Sequence, residues 1–308
     1  MAYLVCFLGG LSVLLLGIHL ISSTLEKYQS HKVKILLSKF TDCHLKGFFF
    51  GTIVTMFLQS SSAITVLTIG FVNANLLKFT QTIGIILGTN VGTTFTTQLI
   101  AFDLGNFWFF ILISGMIFCL LPFSKIKPMG KILFFFGIIL AGLNLMAWAA
   151  SPLKSNPLFV MMWSKVDNHT FYGILVGLLS TAILQSSSGV TAILLAISPH
   201  GYLDLPTAMA IVLGTNIGTC FTAILAVIHS SRAAQKVALA HLVLNIGGVI
   251  IFLPFFSIFC TFIESTSSSL PRQIANAQTI FNLISSLLVL PVANHFGRFI
   301  SWLYEKML

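Results

Sequence analysis

Long apolar runs separated by short polar stretches set the pattern of this chain. Runs at 2–22, 80–102, 107–123, 130–150, 204–228, 233–256 and 274–303 are long enough to read as membrane-crossing helices, since ~20 residues of helix cover a bilayer core. Two further apolar regions, 47–75 and 171–197, differ. Each carries Gln-Ser-Ser-Ser in its interior, at Gln59–Ser62 and Gln185–Ser188. In the first, the flanking arms are only ~12–13 residues, roughly 18–20 Å as helix, too short for a ~30 Å core. Either the region spans once with polar residues at its centre, or it is a hairpin that enters the membrane and turns back at the serines. The basic stretch after the first run suggests a short interfacial helix at 31–40. Asp204 and Pro206 supply good start chemistry for the helix that follows them.

The polar interruptions repeat. Gln59-Ser-Ser-Ser recurs 126 positions later, and at the same offset Leu87-Gly-Thr-Asn-Val-Gly-Thr-Thr-Phe-Thr becomes Leu213-Gly-Thr-Asn-Ile-Gly-Thr-Cys-Phe-Thr, identical at eight of ten positions. A weaker echo joins Gly17-Ile-His-Leu to Gly142-Leu-Asn-Leu at offset 125. Ala240-His241…Asn245 with Leu253-Pro254 parallels Ala277-Gln278…Asn282 with Leu290-Pro291 at offset 37. The expected organisation is a first repeat at 1–125, a second at 126–256 and an additional helix within 257–308.

Composition makes the membrane reading firm. Hydrophobic residues are 56% of the chain and charged residues 7%, against about 25% charged in soluble domains. The five cysteines show no ligand spacing and carry no metal or disulfide message. The first apolar run lacks a basic leader and a cleavage pattern, and is expected to remain as an anchor. The net charge of +9 reports topology rather than nucleic acid. With both hairpins turning back, thirteen Lys and Arg fall on one face and three on the other; with both spanning, the split is eleven to five. The positive-inside rule therefore favours hairpins, an outside N-terminus and a cytoplasmic C-terminus in the plasma membrane. Each repeat then has three crossings, so the second is inverted relative to the first. The expected fold class is an all-α membrane protein of about seven transmembrane helices plus two re-entrant hairpins, in two inverted repeats whose discontinuous helices meet near the midplane.

The repeated residues suit an anion and sodium. A hairpin tip exposes the first N–H groups of the returning helix, which attract anions, and Ser60, Ser61, Ser62, Ser186, Ser187 and Ser188 add hydroxyls there. Gly88, Gly92, Gly214 and Gly218 permit a helix break that would free carbonyls for a hard cation; as a small-xxx-small stripe they also read as a packing face. Amides at Gln59, Gln185, Asn90 and Asn216 offer both an oxygen and an NH₂. All seven carboxylates lie in loops or at span ends, so sodium coupling is favoured over a proton relay, with His241 as the exception. His241, Asn245, Gln278 and Asn282 read either as a surround to the site or as polar links between the last two spans.

These motifs resemble those of the sodium-dependent phosphate cotransporter family. The resemblance rests on both Gln-Ser-Ser-Ser strings, both Gly-Thr-Asn-x-Gly-Thr strings and the two Asn-ended strings at 240–245 and 277–282. Gln278 departs from it, standing where the family usually shows His. The resemblance implies a sodium-coupled phosphate importer, not an enzyme, with sodium ions as coupling ions and no other cofactor. It implies that Gln59 to Ser62 and Gln185 to Ser188 contact phosphate. Gln59, Thr65, Asn90, Thr93, Gln185, Thr191, Asn216 and Thr219 are the candidate sodium ligands. Alternatives are a sodium-coupled carrier of another small anion or polar solute, an intramembrane serine hydrolase using Ser187 with His241 as base, and an inactive scaffold.

Overall fold

A computed structural model describes residues 2–39, 43–102, 107–122, 126–151, 170–201 and 203–307. Lys154, Lys165, Asp42, Asp103 and Asp167, which the sequence places in loops, lie outside these residues. Among the described residues every regular element is helical. The order is α1 (Ala2–Lys39), α2 (His44–Leu58), α3 (Ser61–Asn73), α4 (Phe79–Ile100), α5 (Phe107–Leu120), α6 (Lys127–Ala150), α7 (Thr170–Leu184), α8 (Ser187–Ile197), α9 (Leu205–Gly218), α10 (Cys220–Ala226), α11 (Arg232–Phe252), α12 (Phe256–Glu264), α13 (Leu270–Val289) and α14 (Ala293–Met307).

Among the described residues five stretches are long and apolar enough to cross a membrane: Tyr3–Ile21, Lys127–Ala150, Leu205–Ala226, Arg232–Glu264 and Leu270–Met307. This is fewer than the seven spans expected. α4 has 22 residues, but its threonines, glutamines and Asn90 keep it off that set. α5 has 14 residues, or about 21 Å of helix. The separate interfacial helix expected at 31–40 is also absent, because α1 runs unbroken to Lys39. No Gly or Pro follows Gly17 in α1 to stop it. The start of α9 matches expectation: Asp204 Oδ1 accepts from Thr207 N at 2.9 Å.

Regions 47–75 and 171–197 each reverse direction. Gln59 (φ 57°) and Gln185 (φ 51°) adopt the left-handed conformation and end α2 and α7. The reversal follows from packing as well. α2 runs parallel to α4: a Cβ on Gly84, Gly88 or Gly92 would lie 2.2 Å from His44 O, 2.1 Å from Phe48 O and 2.6 Å from Thr52 O. A single through-going helix would leave α4 antiparallel to it. The second copy repeats the geometry, with Gly214 and Gly218 placing a Cβ 2.0 Å from Ile174 O and 2.6 Å from Leu178 O.

Two cross-links set α4 against α9–α10 in opposite senses. Asn73 Oδ1, just before α4, accepts from Ser231 N, just after α10, at 2.8 Å. At the other end, Ile100 to Phe102 share a cavity wall with Leu195 to Pro199, just before α9. α1 and α6 are antiparallel and closely packed, since a Cβ on Gly10 would meet Met146 Cγ at 2.8 Å and one on Gly17 would meet Ile139 Cγ1 at 2.7 Å.

The echo at offset 37 has a structural counterpart. Leu253–Phe255 and Leu290–Val292 are both 3₁₀ turns that follow a long helix and lead into a shorter one. α12 covers the start of α9, with Phe259 and Ile263 in one apolar cluster with Leu205 and Met209. α14 covers the start of α4, with Ala293 and Ile300 clustered with Phe79 and Ile83. His44 Nε2 also meets Asn294 Oδ1 at 2.9 Å, and Lys236 Nζ meets Glu305 Oε1 at 3.3 Å. α14 thus ties together the starts of α2, α4 and α11.

Candidate functional site

Each hairpin tip is built by three successive residues. The glutamine takes the left-handed conformation, the next serine is extended, and a helix starts at the second serine. Ser60 (φ −146°, ψ 95°) accepts from Ala63 N at 3.2 Å, and Ser186 (φ −148°, ψ 104°) accepts from Gly189 N at 3.0 Å. A serine cap satisfies one of the free N–H groups of the first turn. The others, with the positive end of the helix dipole, face outward from α3 and α8.

Both tips open into one cavity of about 340 Å³. Gln59 to Ser62 and Gln185 to Ser188 line it, joined by Thr93, Thr219 and Leu184 and by Leu15, Ile18, His19 and Ser23 of α1. A water occupies about 30 Å³ of liquid, so the space accommodates a small polyatomic anion with company. Two helix N-termini and the six tip serines therefore converge on one volume. Among the described lining residues His19 is the one ionisable side chain.

The structure brings all eight candidate anion ligands together, with Thr93 and Thr219 of the sodium candidates. Thr65, Thr191, Asn90 and Asn216 lie off the cavity wall. Thr65 is buried, with no partner for its hydroxyl among the described residues, while Thr191 donates to Ser187 O at 2.9 Å. Asn90 Nδ2 donates to Asn245 Oδ1 at 2.8 Å, and Asn216 Nδ2 to Val212 O at 2.9 Å.

The expected helix break at Gly88-Thr-Asn-Val-Gly-Thr is not present. α4 is continuous through both glycines, and the second string shows only a one-residue step at Thr219, itself in helical conformation. The glycines instead let α2 press on α4 and α7 on α9. Packing claims them because each lies over a neighbouring backbone carbonyl, where a side chain has no room. Thr219 Oγ1 caps the step by donating to the carbonyls of Thr215 and Asn216, both at 2.9 Å.

The serine-hydrolase arrangement is not assembled. His241 is 3% exposed, both its ring nitrogens lack partners among the described residues, and it is not on the cavity wall. Asn245 carries the contacts near it, donating to Cys220 Sγ at 3.1 Å and accepting from Asn90. Asn282 donates to Gln278 O of its own helix at 2.8 Å. Among the described residues no hydrogen bond joins α11 to α13, so these residues do not link the last two long helices; Asn245 ties α11 to α4 and α10.

Residues not singled out from the sequence also shape the site. Thr96 Oγ1 donates to Gln59 Oε1, while Gln59 Nε2 donates to Met56 O at 2.7 Å. Thr222, at the position matching Thr96, lies 3.3 Å from Ser62 Oγ and donates to Thr219 O at 2.9 Å. Both threonines close the repeated ten-residue string, so their duplication was the available signal. His19 sits in the weak Gly17-Ile-His-Leu echo.

Long apolar helices around a cavity formed by two facing polar hairpin tips define an integral membrane protein of the transporter class. The comparisons give the family: the model described as Na+/Pi-cotransporter matches residues 13–147 and 156–287, and the chain belongs to that family, a transporter family and not an enzyme family. An uncharacterized protein of Bacillus subtilis, YqeW, is 37% identical over 97% of this chain and 98% of its own length. The Escherichia coli K12 protein named putative inorganic phosphate export protein YjbB is 25% identical over 97% of this chain, which spans 55% of that relative. Human sodium-dependent phosphate transport protein 2B is 39% identical over 27% of this chain and 13% of its own length. No solved structure matches the chain.

Proposed function

We propose that this protein carries inorganic phosphate across the plasma membrane together with sodium, by alternating access to the cavity between the tips. The observation that carries this reading is the convergence of two capped helix N-termini, six serines and two glutamines on one volume. Helix N-termini and hydroxyls hold a tetrahedral anion through N–H and O–H donors. Among the described residues no carboxylate lines the cavity to repel it. Sodium ions bound by neutral oxygens of Gln59, Gln185, Thr93 and Thr219 would offset phosphate charge. Thr65, Thr191, Asn90 and Asn216 stand behind the tips as further oxygen donors.

The finer architecture follows the same reading. α2 and α3 have 15 and 13 residues, about 22 and 20 Å, short of a ~30 Å core. They fit a re-entrant hairpin, as do α7 and α8. The opposite senses of α4 and α9–α10 fit inverted repeats. Lys46, Lys78, Lys127, Lys131, Arg232 and Lys236 stand at or just before the starts of α2, α4, α6 and α11, the face assigned to the cytoplasm. Arg272, on the other side, donates to Gln98 O near the end of α4 at 3.1 Å.

Inward transport is the direction proposed, because an inward sodium gradient and a membrane potential of ~2.3 kcal/mol per charge per 100 mV drive net positive charge in. The YjbB relative, named a putative phosphate export protein, favours the opposite direction as a second reading. Radiolabelled phosphate uptake into proteoliposomes tests the sodium coupling and the cargo, and efflux from phosphate-loaded vesicles tests the direction. Uptake with inward sodium well above uptake with inward choline supports the proposal. Equal flux in both overturns sodium coupling, and absence of flux in folded protein overturns phosphate as cargo.

A further inference from the structure

The two tips are alike in backbone and unlike in their side chains. Gln59 is half-buried, with its oxygen held by Thr96 and its amide by Met56 O. Gln185 is exposed in the cavity, and among the described residues no hydrogen bond to its side chain is present. Its matching threonine, Thr222, has its proton committed to Thr219 O and stands against Ser62 of the other tip.

A second cavity, of about 490 Å³, carries the same asymmetry. The tip cavity is walled on α1 by Leu15, Ile18 and His19. Their equivalents at offset 125, Leu140, Leu143 and Asn144 of α6, all wall the second cavity. Because α1 and α6 are antiparallel, the two stripes lie toward opposite ends of the molecule. The second cavity stops at Leu195 and Ala196, near the far end of α8, and does not reach the tip serines. Buried Val190, Thr191 and Leu194 lie between. One stripe thus leads to the tips and the other is shut off from them.

We propose that Thr96 and Thr222 are positioning residues that hold Gln59 and Gln185 in alternation, and so set which stripe leads to the site. With Gln59 held by Thr96, the tips open along α1. In the exchanged state Thr222 holds Gln185, Gln59 is released, and the tips open along α6. The inference rests on the transport reading for its purpose, but its test uses no phosphate.

Single cysteines at Ser23→Cys, on the open stripe, and Ala147→Cys, on the shut one, report the two states through their rates of reaction with a membrane-impermeant maleimide. The full-length protein is used, and peptide masses locate the label, so that exposed Cys43 is counted apart. Thr96→Val is expected to lower the 23-to-147 rate ratio about fivefold, the worth of one hydrogen bond. Thr96→Ser, which keeps the hydroxyl, restores the wild-type ratio. Thr222→Val raises the ratio, since the contact it loses in the present state is long and its proton already serves Thr219. Opposite shifts with serine rescue support the proposal. An unchanged ratio, or shifts of the same sign in both valine variants, overturns it. A failure of phosphate transport in the wild type would leave these rates readable and would bear only on the cargo.

Discussion

The two hairpins share one backbone design and use it differently. Both cap the returning helix with the first serine at nearly identical dihedral angles, and both turn at a left-handed glutamine. Yet Gln59 is tied to Thr96 while Gln185 projects into the cavity. Backbone and glycine packing make the scaffold symmetric; side-chain hydrogen bonds, which are cheap to exchange, make it asymmetric. The proposed alternating access needs this division, because the frame must persist while the site presents itself to alternate faces.

The glycines offer the harshest test of the shared frame. Gly88→Leu and Gly214→Leu each force a side chain onto a carbonyl 2.1 or 2.0 Å from the Cβ position. Overpacking typically costs ~1–3 kcal/mol and more against rigid backbone, so both variants should fail to give monodisperse folded protein in detergent. If one repeat tolerates leucine, the frame is not symmetric.

Asn245 sharpens the asymmetric side. It bonds Asn90 and Cys220, whereas among the described residues its counterpart Asn282 bonds only within its own helix. Asn245→Leu removes the bond to the half-buried amide of Asn90, worth ~1 kcal/mol. Thermal unfolding should show a larger drop for Asn245→Leu than for Asn282→Leu. Equal drops would remove the distinction.

The caps give the smallest effect. Ser60→Ala and Ser186→Ala each lose one cap bond, worth ~1 kcal/mol, and should lower the unfolding temperature by equal small amounts. Unequal losses would mean that one serine does more than cap.

Much of this was legible in the chain. The duplicated Gln-Ser-Ser-Ser located both turns, because polar residues at the middle of an apolar run too long for one arm and too short for two spans leave few other solutions. The cap positions and the start of α9 followed from local chemistry. The glycine strings were harder: the same residues permit a break or a close approach, and only the position of α2 across α4 decides. The basic stretch after the first apolar run gave no sign that α1 would continue through it, since charge marks a membrane boundary without ending a helix. Thr96 and Thr222 were in plain view within the repeated string. Their contact with the tips depends on how α4 and α10 rotate, which periodicity does not report.

The central claim is that both tips form one phosphate site. Its most direct test is phosphate binding to detergent-purified protein in sodium and in choline, for wild type, Gln59→Ala and Gln185→Ala. The account predicts sodium-dependent binding that each single substitution weakens at least about tenfold, roughly 1.4 kcal/mol. Full-strength binding by either single variant would contradict it, because a site built from both tips cannot lose one of them without loss.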